Sequence, residues 1–132
     1  MKTIFVVGRE WRFRTLLRAQ LREQGYEARG FETLAEAAEA LVSGPAPAAV
    51  VFDTTDSDPA ETATHLRQWA GRLSVVLIAG AQEQIPFGAA RMLRRPVSIG
   101  QVAEVLEELL HELERKEKGP AAGGSLGYAR DK

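Results

Sequence analysis

The chain has no cysteine, which removes disulfide frameworks, thiolate zinc sites and thiol redox chemistry together. No apolar run approaches the ~20 residues of a membrane-spanning helix. The opening stretch Met1–Val7 is too short for a secretion signal and carries no cleavage-like segment. The expected location is therefore cytoplasmic. Charge of one sign is also lacking: the net charge of −1 over 132 residues gives no global field to attract nucleic acid. The glycines form no phosphate-cradling motif, and no serine sits in a nucleophile elbow. The two histidines, His65 and His111, fall in separate segments without a partner at ligand spacing, and read as solvated or satisfied side chains. The expectation is a protein without enzymatic activity that needs no cofactor or metal.

What is present is alternation. Residues 3–7, Tyr26–Phe31, the run Ala48–Asp53, Ser74–Ala79 and Ala90–Leu93 read as short, mostly buried strands. Helical patterns separate them, which predicts βαβ units and a parallel sheet. The first helix is expected from Glu10 to Gln24, with Trp11, Phe13, Leu16, Leu17 and Leu21 inward and Gly25 closing its end. Thr33 and Glu36 have capping-box spacing, so a second helix is expected from Leu34 to Val42. Asp58 as N-cap and Pro59 at the first helical position open a third, ending near Ala70. Ser98–Ile99–Gly100–Gln101 opens the longest, reaching Lys118. Five strands with right-handed crossovers predict a three-layer α/β sandwich of flavodoxin-like type, strand order 2-1-3-4-5.

In such a sheet, ligands bind outside the carboxyl ends of the strands. Asp53 ends one strand there. Its expected neighbours are Gly8, Arg9 and Glu10 after the first strand, Ala79 at the end of the fourth, and Arg95 after the fifth. We expect Arg9 or Arg95 to form a standing ion pair with Asp53. Asp53, Asp56 and Asp58 alternate like calcium-loop acids, but the required glycine and distant glutamate are missing. Arg14, Arg18 and Arg22 step by four along the first helix and read as a solvated stripe. No aromatic or base-reading groups are interleaved with them, so nucleic-acid binding is not expected.

The order of these features resembles the receiver domain of bacterial response regulators. The resemblance rests on the loop Gly8–Arg9–Glu10, on Gly25–Tyr26–Glu27, on the hydrophobic run ending at Asp53, and on Gly88–Ala89 followed by Arg95–Pro96. It implies an aspartyl-phosphate switch in which two acids and the acceptor hold Mg²⁺, while a hydroxyl and a lysine bind the phosphoryl oxygens. Carried over, the acceptor is Asp53. The acids become Gly8 and Arg9, the hydroxyl position becomes Ala79, and the lysine becomes Arg95, so only the acceptor is retained intact. The resemblance also suggests that Arg95–Pro96 is cis.

Between Ala79 and Arg95 lie fifteen residues, including Ile85–Pro86–Phe87–Gly88. A proline there opposes a full helix, so the fourth helix of the resembled family is expected to be shortened or lost. Ile85 and Phe87 would then plug the core edge or offer a small apolar patch. In the last helix Val102, Leu106, Leu109 and Leu113 follow seam spacing, and Leu110 widens the band. Leu106, Leu109, Leu110 and Leu113 are thus candidates for a homodimer or partner interface. Residues 1–118 are expected to form the receiver-like domain, and 119–132, rich in glycine and alanine, a flexible tail. The function expected is an atypical receiver-like module acting by phosphorylation-independent contact with a protein partner. Two readings stay open beside it: a phosphorylated single-domain regulator with a degenerate site, and a pseudo-receiver that senses an anion or nucleotide.

Overall fold

A computed structural model describes residues 1–84 and 89–118. The expectations for Ile85, Phe87, Gly88 and the 119–132 tail lie outside these residues. The elements run β1 (Thr3–Val7), α1 (Trp11–Glu23), β2 (Glu27–Phe31), α2 (Leu34–Ser43), β3 (Ala49–Asp53), α3 (Pro59–Trp69), β4 (Val75–Ala79), β5 (Arg91–Arg94) and α4 (Ile99–Lys118). The five strands are all parallel, in the order β2-β1-β3-β4-β5. This is the architecture expected from the alternation of strand and helix patterns.

Local chemistry sets the boundaries. Thr33 and Glu36 form the complete capping box at the start of α2, and Asp58 accepts from the Ala60 amide ahead of Pro59. Ser98 and Gln101 cap α4 reciprocally, with bonds of 2.8 and 3.1 Å. Gly25 follows α1 with φ +94°, a left-handed conformation that glycine adopts without a Cβ penalty.

The sheet separates two cores. Ile4, Val6, Val51, Val76 and Ile78 face α1 and α4, whereas Phe5, Val7, Val50, Phe52 and Leu77 face α2 and α3. β3 and β4 are buried along their whole length, as expected for central strands covered on both faces.

The structure corrects two assignments. Trp11 is 68% exposed and Leu16 46%. At 100° per residue Trp11 lies about 160° from Phe13 and about 80° beyond Leu21, and Leu16 lies on the other flank of the buried stripe. Leu106, Leu109 and Leu110 are buried in the core beneath α4, and Leu113 packs against that core. Leu106, Leu109 and Leu110 cover the sheet, while Leu113 is half-buried and also lines a groove with Met1, Pro45 and Pro47. A long apolar band is ambiguous in sequence, and the 20-residue helix uses nearly all of it internally.

Between β4 and β5, residues 80–84 contain a turn, and no helical residue occurs among the described residues of this connection. On β5, Met92 is 46% exposed. It pairs with the buried Leu77 of β4, so the exposure is confined to the edge strand.

Candidate functional site

Strand register gathers the chemistry. Val7 pairs with Phe52, Asp53 with Ile78, and Ala79 with Arg94. Gly8, Asp53, Gly80 and Arg95 therefore emerge together at the carboxyl edge of the sheet.

Asp53 is 9% exposed. Its Oδ1 accepts the Thr55 amide at 2.8 Å, the Thr55 hydroxyl at 2.7 Å and Arg95 Nη1 at 2.8 Å. The Thr55 bonds make a local Asx-type turn, and the chain then passes through Asp56 at φ +59°. Arg95 Nη1 also donates to the Ile78 carbonyl at 3.0 Å and to the Thr54 hydroxyl at 3.3 Å. The Arg95–Pro96 peptide is cis.

Glu83 is a member of the site that the sequence reading missed. Its Oε1 accepts the Thr54 hydroxyl at 2.7 Å and the Gly80 amide at 3.0 Å, and lies 3.6 Å from Arg95 Nη2. Arg94 bonds the Gly80 and Glu83 carbonyls and pins the same turn. Burial pushes the Glu83 carboxyl upward. The Gly80 and Thr54 hydrogen bonds, with Arg95 and Arg94 beside it, outweigh that and hold it below its ordinary value. The signal was the turn-forming Gly80 three residues before a glutamate, but nothing in one sequence ties that turn to Asp53.

The remaining expected residues divide. Arg9 is exposed and lines a shallow recess with Glu32 and Glu61 away from Asp53, so the guanidinium paired with Asp53 is that of Arg95. Gly8 is buried. A Cβ built there would stand 3.2 Å from the Phe13 ring and 3.4 Å from Asp53 Cβ, so a side chain at position 8 would press on the Phe13 ring. Ala79 is fully buried and offers no donor beyond its backbone. Glu10 and Asp53 line one cleft together. No group of three acidic, histidine or cysteine residues suited to a metal occurs among the described residues.

Arg14, Arg18 and Arg22 are not simply solvated. Arg14 donates to the Gly8 carbonyl at 2.6 Å and the Arg9 carbonyl at 3.2 Å, while Arg18 and Arg22 reach the Ala28 carbonyl at 3.3 and 3.5 Å. Arg14 thereby fixes the loop that carries Gly8.

No protein-family model and no curated protein matches the sequence. Solved structures do match in fold. The receiver domain of the TMAO respiratory system response regulator TorR superposes with a TM-score of 0.71 at 17% identity, over 85% of this chain and 98% of that one. The N-terminal domain of a response regulator/sensory box/GGDEF three-domain protein from Carboxydothermus hydrogenoformans gives 0.69 at 19%, over 87% and 98%. The beryllofluoride-activated NtrC4 receiver domain dimer gives 0.68 at 24%, over 85% and 98%. The fold is therefore a flavodoxin-like α/β sandwich, and more narrowly the fold of response-regulator receiver domains. Among the described residues, no helix is long and apolar enough to cross a membrane.

Proposed function

We propose that the chain is a receiver-like cytoplasmic signalling module that acts by contact with a protein partner and does not depend on phosphorylation of Asp53. The observation that carries this reading is the ion pair between Arg95 and Asp53, 2.8 Å long and built into a buried strand end. The carboxylate already has a resident guanidinium on Oδ1, the charge a metal would otherwise supply.

The donor set does not fit that metal. Mg²⁺ takes near-octahedral oxygen ligands, commonly one or two carboxylates with water and phosphate. Here Asp53 Oδ1 is committed three times over, Gly8 and Arg9 supply no carboxylate, and among the described residues Glu10 is the one further carboxylate lining the cleft. Phosphoryl transfer works chiefly by positioning and charge neutralisation, so no transfer step is assigned to this site. The module is proposed to act without catalysis or cofactor.

The contact surface we favour is the edge strand β5, where Met92 is 46% exposed and Arg94 is exposed on the same face. Exposed edges and apolar side chains of this kind are where partners pair.

A second reading has one observation in its favour: Asp53 Oδ2 has no hydrogen-bond partner among the described residues, leaving an oxygen that a phosphoryl group could take. Intact-mass measurement after incubation with acetyl phosphate and Mg²⁺ decides between the two. The proposal expects no adduct beyond that seen in Asp53→Asn, and an Asp53-dependent adduct would establish the second reading.

A further inference from the structure

Beside the ion pair lies a cleft of about 510 Å³, walled by Phe13, Leu16, Val97, Ile99 and Val102, with Glu10, Arg12, Asp53 and Arg95 as its charged members. That volume falls within the range of small-molecule sites, and an apolar wall with a few convergent polar groups is their usual lining. Phe13 and Val102 belong to the core, Val97 and Ile99 pack against it, and Leu16 is half exposed on the rim.

The charges select the class of ligand. Arg95 Nη1 is spent on Asp53, Thr54 and Ile78, and its Nη2 faces Glu83. It has little left to offer an anion. Two carboxylate acceptors remain: Oδ2 of the nearly buried Asp53, and the Glu10 carboxylate, neither with a partner among the described residues. An unpaired carboxylate oxygen at the edge of an apolar wall gains most from a charged donor, because a charge-assisted bond there is about twice as strong as a neutral one. Arg12 is the one lining cation without a partner among the described residues, and it is exposed on the rim.

We infer that this cleft binds a small organic cation, a protonated amine or guanidinium on an apolar body, with its head on Asp53 Oδ2 and Glu10 and its body against Phe13, Val97, Ile99 and Val102. Such a ligand bridges α1, β3 and the start of α4, three elements with no covalent tie at this edge. The inference goes beyond the docking reading and does not rest on it: the cleft makes the module responsive to a small molecule whether or not a partner sits on β5.

The test is an amide NMR titration of the full chain with protonated phenethylamine, alongside phenylacetate and 2-phenylethanol at equal concentration. The amine is expected to give saturable shifts centred on Phe13, Leu16, Val97 and Ile99, and to bind about tenfold more tightly than either isostere. Asp53→Asn is expected to weaken the amine about tenfold and Glu10→Gln by less. Leu16→Lys, at an exposed position that does not threaten the fold, places a competing ammonium on the rim and is expected to weaken it similarly. Absence of saturable shifts overturns the inference. So do equal binding of all three probes, preference for phenylacetate, and full binding by Leu16→Lys.

Discussion

The Arg95 guanidinium meets the Asp53 carboxylate at 2.8 Å, with the Asp53 side chain 12% exposed and that of Arg95 32%. Removing one partner strands the other. Arg95→Ala leaves a nearly buried carboxylate without its cation and is expected to cost about 1–3 kcal/mol, less than the roughly 3–5 of a fully buried pair because Arg95 reaches water. Asp53→Asn keeps the Thr55 bonds and is expected to cost about 1 kcal/mol. Urea unfolding of both single variants and the double should show coupling of about 0.5–3 kcal/mol. Additive losses would mean that the pair contributes nothing as a pair.

Glu83 gives a pH signature. Its folded value lies below the ordinary 4.5, so folding favours the deprotonated form. That contribution is present in full above about pH 4.5 and is lost as acidification passes through the lower folded value. The side chain is 32% exposed, which limits the effect to under about 1 kcal/mol. Thermal melts of the wild type and Glu83→Gln from neutral pH to about pH 3 should differ at neutral pH and converge on acidification. A constant offset across that range would assign Glu83 no electrostatic part.

Position 8 is crowded by Phe13 and Asp53. Gly8→Asp, which introduces an acid at the edge of the sheet, has to press on the Phe13 ring and place a second carboxylate beside Asp53. It is expected to destabilise by about 1–3 kcal/mol, read as a lowered urea midpoint. Unchanged stability would show that Phe13 yields readily and that the acid is absent for another reason.

The leucines of α4 make a fourth case. Leu106→Ala and Leu109→Ala empty core volume under the helix and are expected to cost about 2–5 kcal/mol each. Light scattering of the folded variants should give the same mass as the wild type. A change of mass with little loss of stability would return these residues to an interface.

Much of the fold was legible because its signals are local. Buried runs, the Thr33–Glu36 box, the Asp58–Pro59 start and the Ser98–Gln101 start each act over a few residues, and strand order follows from right-handed crossovers. Asp53 was legible for the same reason, as a charge ending an apolar run. Glu83 and Thr54 were not, because their role comes from a turn that register alone brings back over Arg95. The roles of Arg9 and Arg95 could not be separated in sequence: both follow strand ends, and only the geometry after β1 turns Arg9 away. The burial of Leu106, Leu109 and Leu110 could not be read from the sequence because core stripe and seam share one periodicity.

The most direct test of the central claim is an amide NMR titration with Mg²⁺ and then beryllofluoride, which stands in for a phosphoryl group on Asp53, with Asp53→Asn as control. No Asp53-dependent shifts are expected, because Arg95 and Thr55 hold Asp53 Oδ1 and no group of three metal-suited side chains occurs among the described residues. Saturating shifts around Asp53, Thr54 and Gly80 that vanish in Asp53→Asn would contradict it and make this chain a working phosphorylation switch.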